Sequence, residues 1–158
     1  EGIDKLIDAQ VQVIWQTGKA YFESVKAQVQ DKDLRRIRIY DFLRQMDMAY
    51  AVSDVVISRA GALAISELCL TKRPCILVPS PNVAEDHQTK NALTLVQAEA
   101  ARMIKDAEAK TKLIDESLKL IYDEQQCEAL RQNIAKLGKP KATEEIVNEI
   151  EKLIKQEL

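Results

Sequence analysis

Two hydrophobic periodicities alternate along the chain, and their alternation predicts the fold. VQVIWQTG, residues 11–18, is a short apolar run closed by glycine and reads as a strand. KAYFESVKAQVQ follows with Tyr21, Phe22, Val25 and Val29 at helical spacing. RRIRIYDFL, residues 35–43, alternates charge with Ile37 and Ile39, a strand pattern, and QMDMAYAVSD is a short helix with Met46, Met48, Ala49 and Val52 toward one side. VVISRAG is a β-branched run ending in a turn, ALAISELCLTK a helix, and PCILVPSP a further buried strand. EDHQTKNALTLVQAEA reads as a helix, AARMI as a last short strand, and the remainder as helix.

Strands that alternate with helices imply right-handed crossovers and a parallel sheet covered on both faces. The expected class is therefore α/β, a Rossmann-like parallel sheet flanked by helices. The continuous apolar strands VVIS and CILV suit its centre. In the C-terminal third, Ile114, Leu118 and Ile121, and then Ile146, Ile150, Leu153 and Ile154, recur at amphipathic spacing, so these helices are expected to pack on the body, with Pro140 separating the last two. The start is unusual. EGIDKLIDAQ reads as a helix with Ile3, Leu6 and Ile7 inward and no strand before it, whereas a doubly wound sheet opens with a strand and a phosphate-binding turn. The four glycines are Gly2, Gly18, Gly61 and Gly138, and they form no glycine-rich fingerprint. The expectation is a single domain over 1–158, with its first strand missing, that belongs to a larger protein.

Composition narrows the function classes. The net charge is −2 with acids and bases interspersed, which gives no basic stripe for nucleic acid. No apolar run approaches the ~18–20 residues of a bilayer span, and the acidic first residues do not resemble a signal peptide. A cytoplasmic location is expected. Cys69, Cys75 and Cys127 form no C-x-x-C pair and have one histidine to assist them, so no metal site is expected; free thiols acting as small hydrophobes fit better.

In an open parallel sheet, ligands bind beyond the carboxyl ends of the strands. Three such ends carry informative residues. Arg59, Gly61, Ala62 and Leu63 follow VVIS where a helix begins. Small residues and free N–H groups there fit either a phosphate or a tight turn needing glycine only for geometry. One turn on, Ser66 and Glu67 appear. The Glu67 carboxylate fits either a ribose diol or a solvated acid near the helix start. After CILV, the polar residues Glu85, Asp86, His87, Gln88, Thr89, Lys90 and Asn91 gather, with Gln88 and Asn91 on one helix face. Their amides can read sugar hydroxyls. His87 is the single histidine, nothing nearby in the sequence forms a triad with it, and it fits a surface or capping role as well. At the third end, Tyr40-Asp41-Phe42-Leu43, backbone groups and an apolar wall suit a flat base, or else a core aromatic and a turn.

The segments SRAGALAISE and VPSPNVAEDHQTKNA, with IWQTGK and YDFL-x-x-M-x-x-AYAVSDVVISRAG upstream, resemble the MurG family, the N-acetylglucosaminyltransferases of bacterial peptidoglycan synthesis. The resemblance covers nearly the whole chain. It implies the C-terminal, donor-binding half of a GT-B enzyme, in which two Rossmann-like domains face each other across a cleft. It further implies UDP-N-acetylglucosamine as a substrate, no cofactor and no metal. Leu43 would offer backbone hydrogen bonds to uracil, and Ala62 and Leu63 would approach the diphosphate, with Ala64, Ile65 and Ser66 continuing the segment. Glu67 would take the ribose hydroxyls, and Gln88, with Asn91 beside it, the N-acetylglucosamine hydroxyls. Arg59 and Gly61 match the motif, and His87 would orient rather than transfer a proton. No catalytic residue is expected in this chain. The family's lipid-linked muramoyl-pentapeptide acceptor and its membrane contact, on the cytoplasmic face of the inner membrane, belong to the N-terminal half. The chain alone is therefore expected to be inactive. The rival readings are the donor domain of another UDP-sugar enzyme of the same architecture, an epimerase or a different transferase, and a non-catalytic interaction module.

Overall fold

The computed structural model of the chain describes residues 2–83 and 86–156. The elements run α1 (Ile3–Asp8), β1 (Val13–Gln16), α2 (Lys19–Val29), β2 (Ile37–Tyr40), α3 (Met46–Val52), β3 (Val56–Ser58) and α4 (Ala62–Thr71). They continue with β4 (Cys75–Leu77), α5 (His87–Gln97), β5 (Arg102–Met103), α6 (Asp106–Ile121), α7 (Glu124–Ala135) and α8 (Ala142–Gln156). Each predicted strand and helix is present, and every strand pair is parallel.

The parallel strands divide into two sheets. β1 pairs with β2, Val13 opposite Ile37 and Gln16 opposite Tyr40. The second sheet has the order β3-β4-β5, with Ser58 opposite Leu77 and Leu77 opposite Met103. β4 is its centre, and all three of its residues are buried. Period-two alternation sends its side chains to opposite faces. Cys75 and Leu77 enter one core with Tyr50, Leu68, Ala92, Leu95 and Ile134, while Ile76 enters another with Ile104, Leu120, Cys127 and Leu130. Helices thus cover both faces of β4, as a continuous apolar strand demands.

Three expectations need correction. VVIS is not central: among the described residues β3 pairs with β4 alone, and Ile57 is 43% exposed. α3 turns a different face inward from the one its pattern predicts. Met46, Ala49 and Tyr50 turn inward, Tyr50 most deeply, while Met48 and Val52 point to solvent. Finally, α8 does not bury its stripe. Ile146, Ile150, Leu153 and Ile154 are all exposed, although the spacing is as regular as predicted. Periodicity establishes that a helix has an apolar face; it does not supply a partner for that face. The total accessible surface agrees. It is 11109 Å², against roughly 8,000 Å² expected for a compact monomer of this mass.

α1 is better seated. It packs on α6, with Lys5 bonded to Asp115 at 2.5 Å and Tyr122 donating to the Ala9 carbonyl at 2.9 Å. α7 packs across α4, and the chain leaving it passes so close that a Cβ on Gly138 would sit 3.1 Å from the Cys69 carbonyl oxygen.

The three cysteines are free and buried. Burial disfavours the thiolate, and at Cys75, with Cys69 adding to the effect, it pushes the thiol up to about 12. Because the thiolate is the reactive form, an aromatic disulfide reagent at pH 8 is expected to leave Cys75 unmodified in the folded protein and to titrate all three thiols in denaturant. Rapid native labelling of Cys75 would contradict this packing.

Candidate functional site

The site is built around the start of α4. Gly61 precedes it in an extended conformation, and no side chain among the described residues caps the helix. The first intrahelical bond at this end runs from the Ile65 N–H to the Gly61 carbonyl, 3.0 Å. The N–H groups of Ala62, Leu63 and Ala64 lie in the first turn, where an α-helix provides no acceptor of its own. They form a patch of partial positive charge suited to an anion. Gly61 and Ala62 keep this patch clear of bulk, and Leu63 is exposed at its edge. Ser66 turns its hydroxyl back to the Ala62 carbonyl at 3.0 Å.

One turn further on, the Glu67 carboxylate accepts a hydrogen bond from the Tyr50 hydroxyl at 3.0 Å. Tyr50 is only 6% exposed. Burial raises its phenol well above the ordinary range, and the Glu67 carboxylate raises it further. The hydroxyl therefore stays a neutral donor at any physiological pH.

α5 is tethered to the same place from the other side. Gln88 accepts through one oxygen, Oε1, from the Ala60 N–H at 3.2 Å and the Ser80 N–H at 2.9 Å. Asn91, three residues on, donates to the Ala60 carbonyl at 3.1 Å. Both polar backbone groups of Ala60 are thus held by one helix face, and the segments leaving β3 and β4 are locked together immediately before α4. Arg59 spans the same gap. It donates to the Val78 and Pro79 carbonyls at 3.2 and 3.4 Å and pairs with Asp106 at the start of α6. His87 begins α5 and is exposed. Glu85 lies outside the described residues.

Leu43 is joined to this cluster less directly. It follows β2, and its N–H donates to the Gln16 side chain at the end of β1, 2.6 Å away. The following helix, α3, then carries Tyr50 to Glu67. The structure therefore brings Arg59, Gly61, Ala62, Leu63, Ala64, Ile65, Ser66, Glu67, Gln88 and Asn91 into one neighbourhood, and it links Leu43 to them through α3. Two surface hollows, about 460 and 410 Å³, lie elsewhere, at the amino ends of β1 and β2. Their arginines are committed to loop contacts: Arg35 to Asp33, Arg36 to the Gln10 carbonyl, Arg38 to the Leu34 carbonyl. In a parallel α/β sheet that is the end away from ligands.

Residues 1–150 match the glycosyltransferase family 28 C-terminal domain. The chain belongs to this family. It is 47% identical over 152 residues to the UDP-N-acetylglucosamine--N-acetylmuramyl-(pentapeptide) pyrophosphoryl-undecaprenol N-acetylglucosamine transferase of Cytophaga hutchinsonii, covering 96% of this chain and 40% of that protein. It is 50% identical over 148 residues to the transferase of the same name from Bacteroides thetaiotaomicron, covering 93% and 40%. Among solved structures, the crystal structure of MurG from Acinetobacter baumannii superposes with a TM-score of 0.78 at 25% identity, over 89% of this chain and 41% of that one. An NMR structure of ALG13 shares the fold, with a TM-score of 0.54 at 19% identity over 77% of this chain and 73% of that one. The chain spans about 40% of the length of the curated relatives it matches. The family resemblance carried by SRAGALAISE and VPSPNVAEDHQTKNA is borne out, as is the α/β class.

Within this family 28 domain, three residues that the sequence pattern does not single out hold the candidate site residues in place. Gln16 holds Leu43, Tyr50 holds Glu67, and Asp106 holds Arg59. Each partner lies 17 or more residues from the residue it holds. The one available signal was at Tyr50, which falls four residues after Met46 and one after Ala49, on the inward side of a short helix.

Proposed function

We propose that this chain binds UDP-N-acetylglucosamine as the donor-binding part of an N-acetylglucosaminyltransferase that modifies a lipid-linked muramoyl-pentapeptide in peptidoglycan synthesis. One observation carries the reading: the uncapped start of α4 has the Glu67 carboxylate one turn along it and the Gln88 amide tethered at its head. N–H groups suited to a diphosphate, a carboxylate suited to a ribose diol and an amide suited to a sugar hydroxyl follow one another there, which supports the reading. The identity to transferases of that name supports the assignment of the sugar.

In this reading the N–H groups of Ala62, Leu63 and Ala64 bind the diphosphate and stabilise the charge that grows on it as the sugar departs. Ile65 and Ser66 shape the segment. Glu67 accepts from the ribose hydroxyls. Leu43, its N–H already committed to Gln16, offers its carbonyl to the base. Gln88 has spent Oε1 on Ala60 and Ser80, so its NH₂ is the group turned to the sugar, and Asn91 fixes the backbone beneath it. Arg59 braces the strand ends, with Gly61 leaving room and His87 orienting the loop. The chemistry requires no cofactor here, and no residue of this chain is assigned proton transfer. The acceptor and the cytoplasmic membrane surface are engaged by other parts of the protein. No helix of the described residues is long and apolar enough to cross a bilayer.

Isothermal calorimetry with UDP, UDP-N-acetylglucosamine, UDP-glucose and UDP-galactose tests this. The expected result is saturable binding of UDP and a preference for the N-acetylglucosamine conjugate. Absence of heat with UDP at millimolar concentration would overturn the nucleotide site, and preference for another sugar would transfer the chain to the rival UDP-sugar enzymes.

A further inference from the structure

We infer that Tyr50 is the positioning residue of the ribose subsite: its hydroxyl holds one oxygen of the Glu67 carboxylate so that the other is presented to the 2′- and 3′-hydroxyls of the nucleotide. The inference rests on the donor-binding reading of Glu67 and adds a residue on a different element, in the neighbouring α3.

The geometry supplies the argument. A glutamate side chain has three rotatable bonds, and a free one surrenders rotamer entropy when it engages a ligand. Glu67 has already lost that freedom. Tyr50 donates to Oε2 at 3.0 Å. The tyrosine is itself fixed, being 6% exposed and packed in the core that contains Leu68, Leu77 and Ile134. A carboxylate has about four acceptor sites on two oxygens, so one neutral donor on Oε2 leaves Oε1 free to accept from a diol. The phenol adds no positive charge, so it leaves the negative charge of Glu67 available to strengthen the ribose hydrogen bonds. A lysine or arginine in that place would compete for the charge. Burial, and then the Glu67 carboxylate, raise the phenol above its ordinary range, so the donor is neutral at physiological pH. α3 therefore has a second task besides packing: it connects the segment carrying Leu43 to the carboxylate on α4.

Ligands that differ only in the diol provide the test. Affinities of the parent protein, Tyr50→Phe and Glu67→Ala would be measured for UDP and for 2′,3′-dideoxyuridine diphosphate, with thermal melts confirming folding. The parent is expected to prefer UDP. Tyr50→Phe is expected to weaken UDP binding by about five- to tenfold, the worth of one lost hydrogen bond, and to leave the dideoxy affinity unchanged, so that diol selectivity falls by the same factor. A purely structural tyrosine would move both affinities together or neither, and that result, with selectivity still abolished in Glu67→Ala, would overturn the inference while leaving Glu67 in the site. Full selectivity in Glu67→Ala would instead remove the ribose assignment itself. Should Tyr50→Phe melt below the assay temperature, 3-fluorotyrosine at position 50 keeps the ring and hydroxyl and makes the phenol a stronger donor. It should shift UDP affinity and not dideoxy affinity; a shift in neither overturns the inference.

Discussion

Glu67→Ala is expected to weaken UDP binding by about 1.5–3 kcal/mol, roughly 10- to 150-fold in Kd, because the lost hydrogen bonds are to a charged acceptor. The loss should be almost wholly in affinity. Glu67 is half-buried on α4, and among the described residues its side chain is bonded to the Tyr50 hydroxyl. Removing the carboxylate leaves that hydroxyl next to a gap that opens toward solvent, where water replaces the missing acceptor. Unfolding stability is accordingly expected to drop by about 1 kcal/mol or less. Calorimetric titration with UDP, paired with urea unfolding, separates the two. An unchanged Kd would remove Glu67 from the nucleotide site, and a large loss of stability at constant Kd would make it a packing residue.

Leu77→Ala should produce the opposite signature, a stability loss of about 2–5 kcal/mol. Leu77 is 0% exposed at the end of the central strand β4, paired on one side with Ser58 and on the other with Met103. Its carbonyl accepts from the Ile104 N–H at 3.0 Å. Pairing on both sides fixes its backbone, which limits relaxation into the space and puts the cost toward the upper part of the range. Domains of this size have only about 5–15 kcal/mol in total, so the variant loses a large share of its stability. Ile57→Ala on the exposed side of β3 is the control, with a cost below about 1 kcal/mol. Urea midpoints at constant m-value distinguish them. Equal midpoints for the two variants would show that β4 is not the centre of the core.

The order and type of the elements were legible because both periodicities are local, and a strand such as PCILVP or a helix such as ALAISELCLTK declares itself within a dozen residues. The head of the candidate site was legible for the same reason, since Gly61, Ala62 and Glu67 lie within the first two turns at the start of a single helix. What the chain does over longer distances was not. The inward face of α3 was misread because Met48 and Val52 are as apolar as Met46. The burial of Tyr50, which settles the face, depends on an acceptor 17 residues later. That Gln88 Oε1 and the Asn91 amide also hold the backbone of Ala60 and Ser80 is not legible in the sequence, because those groups come near only after β3 and β4 pair. The α8 stripe was correctly seen as amphipathic and wrongly seated, since spacing does not specify what will cover a face.

The division of the strands into two sheets has a mechanical consequence. β4 lies under helices on both faces, whereas β1, among the described residues, pairs as a strand only with β2 and shows Ile14 and Trp15 to solvent. Local opening is governed by how much each segment buries, so the β1–β2 portion can breathe on its own while β3–β5 stays shut. Leu43 belongs to the compliant portion, and Gly61, Glu67 and Gln88 to the stiff one. A nucleotide that touched all four would act as a clasp, tightening amides around β1 and β2 that never meet the phosphates.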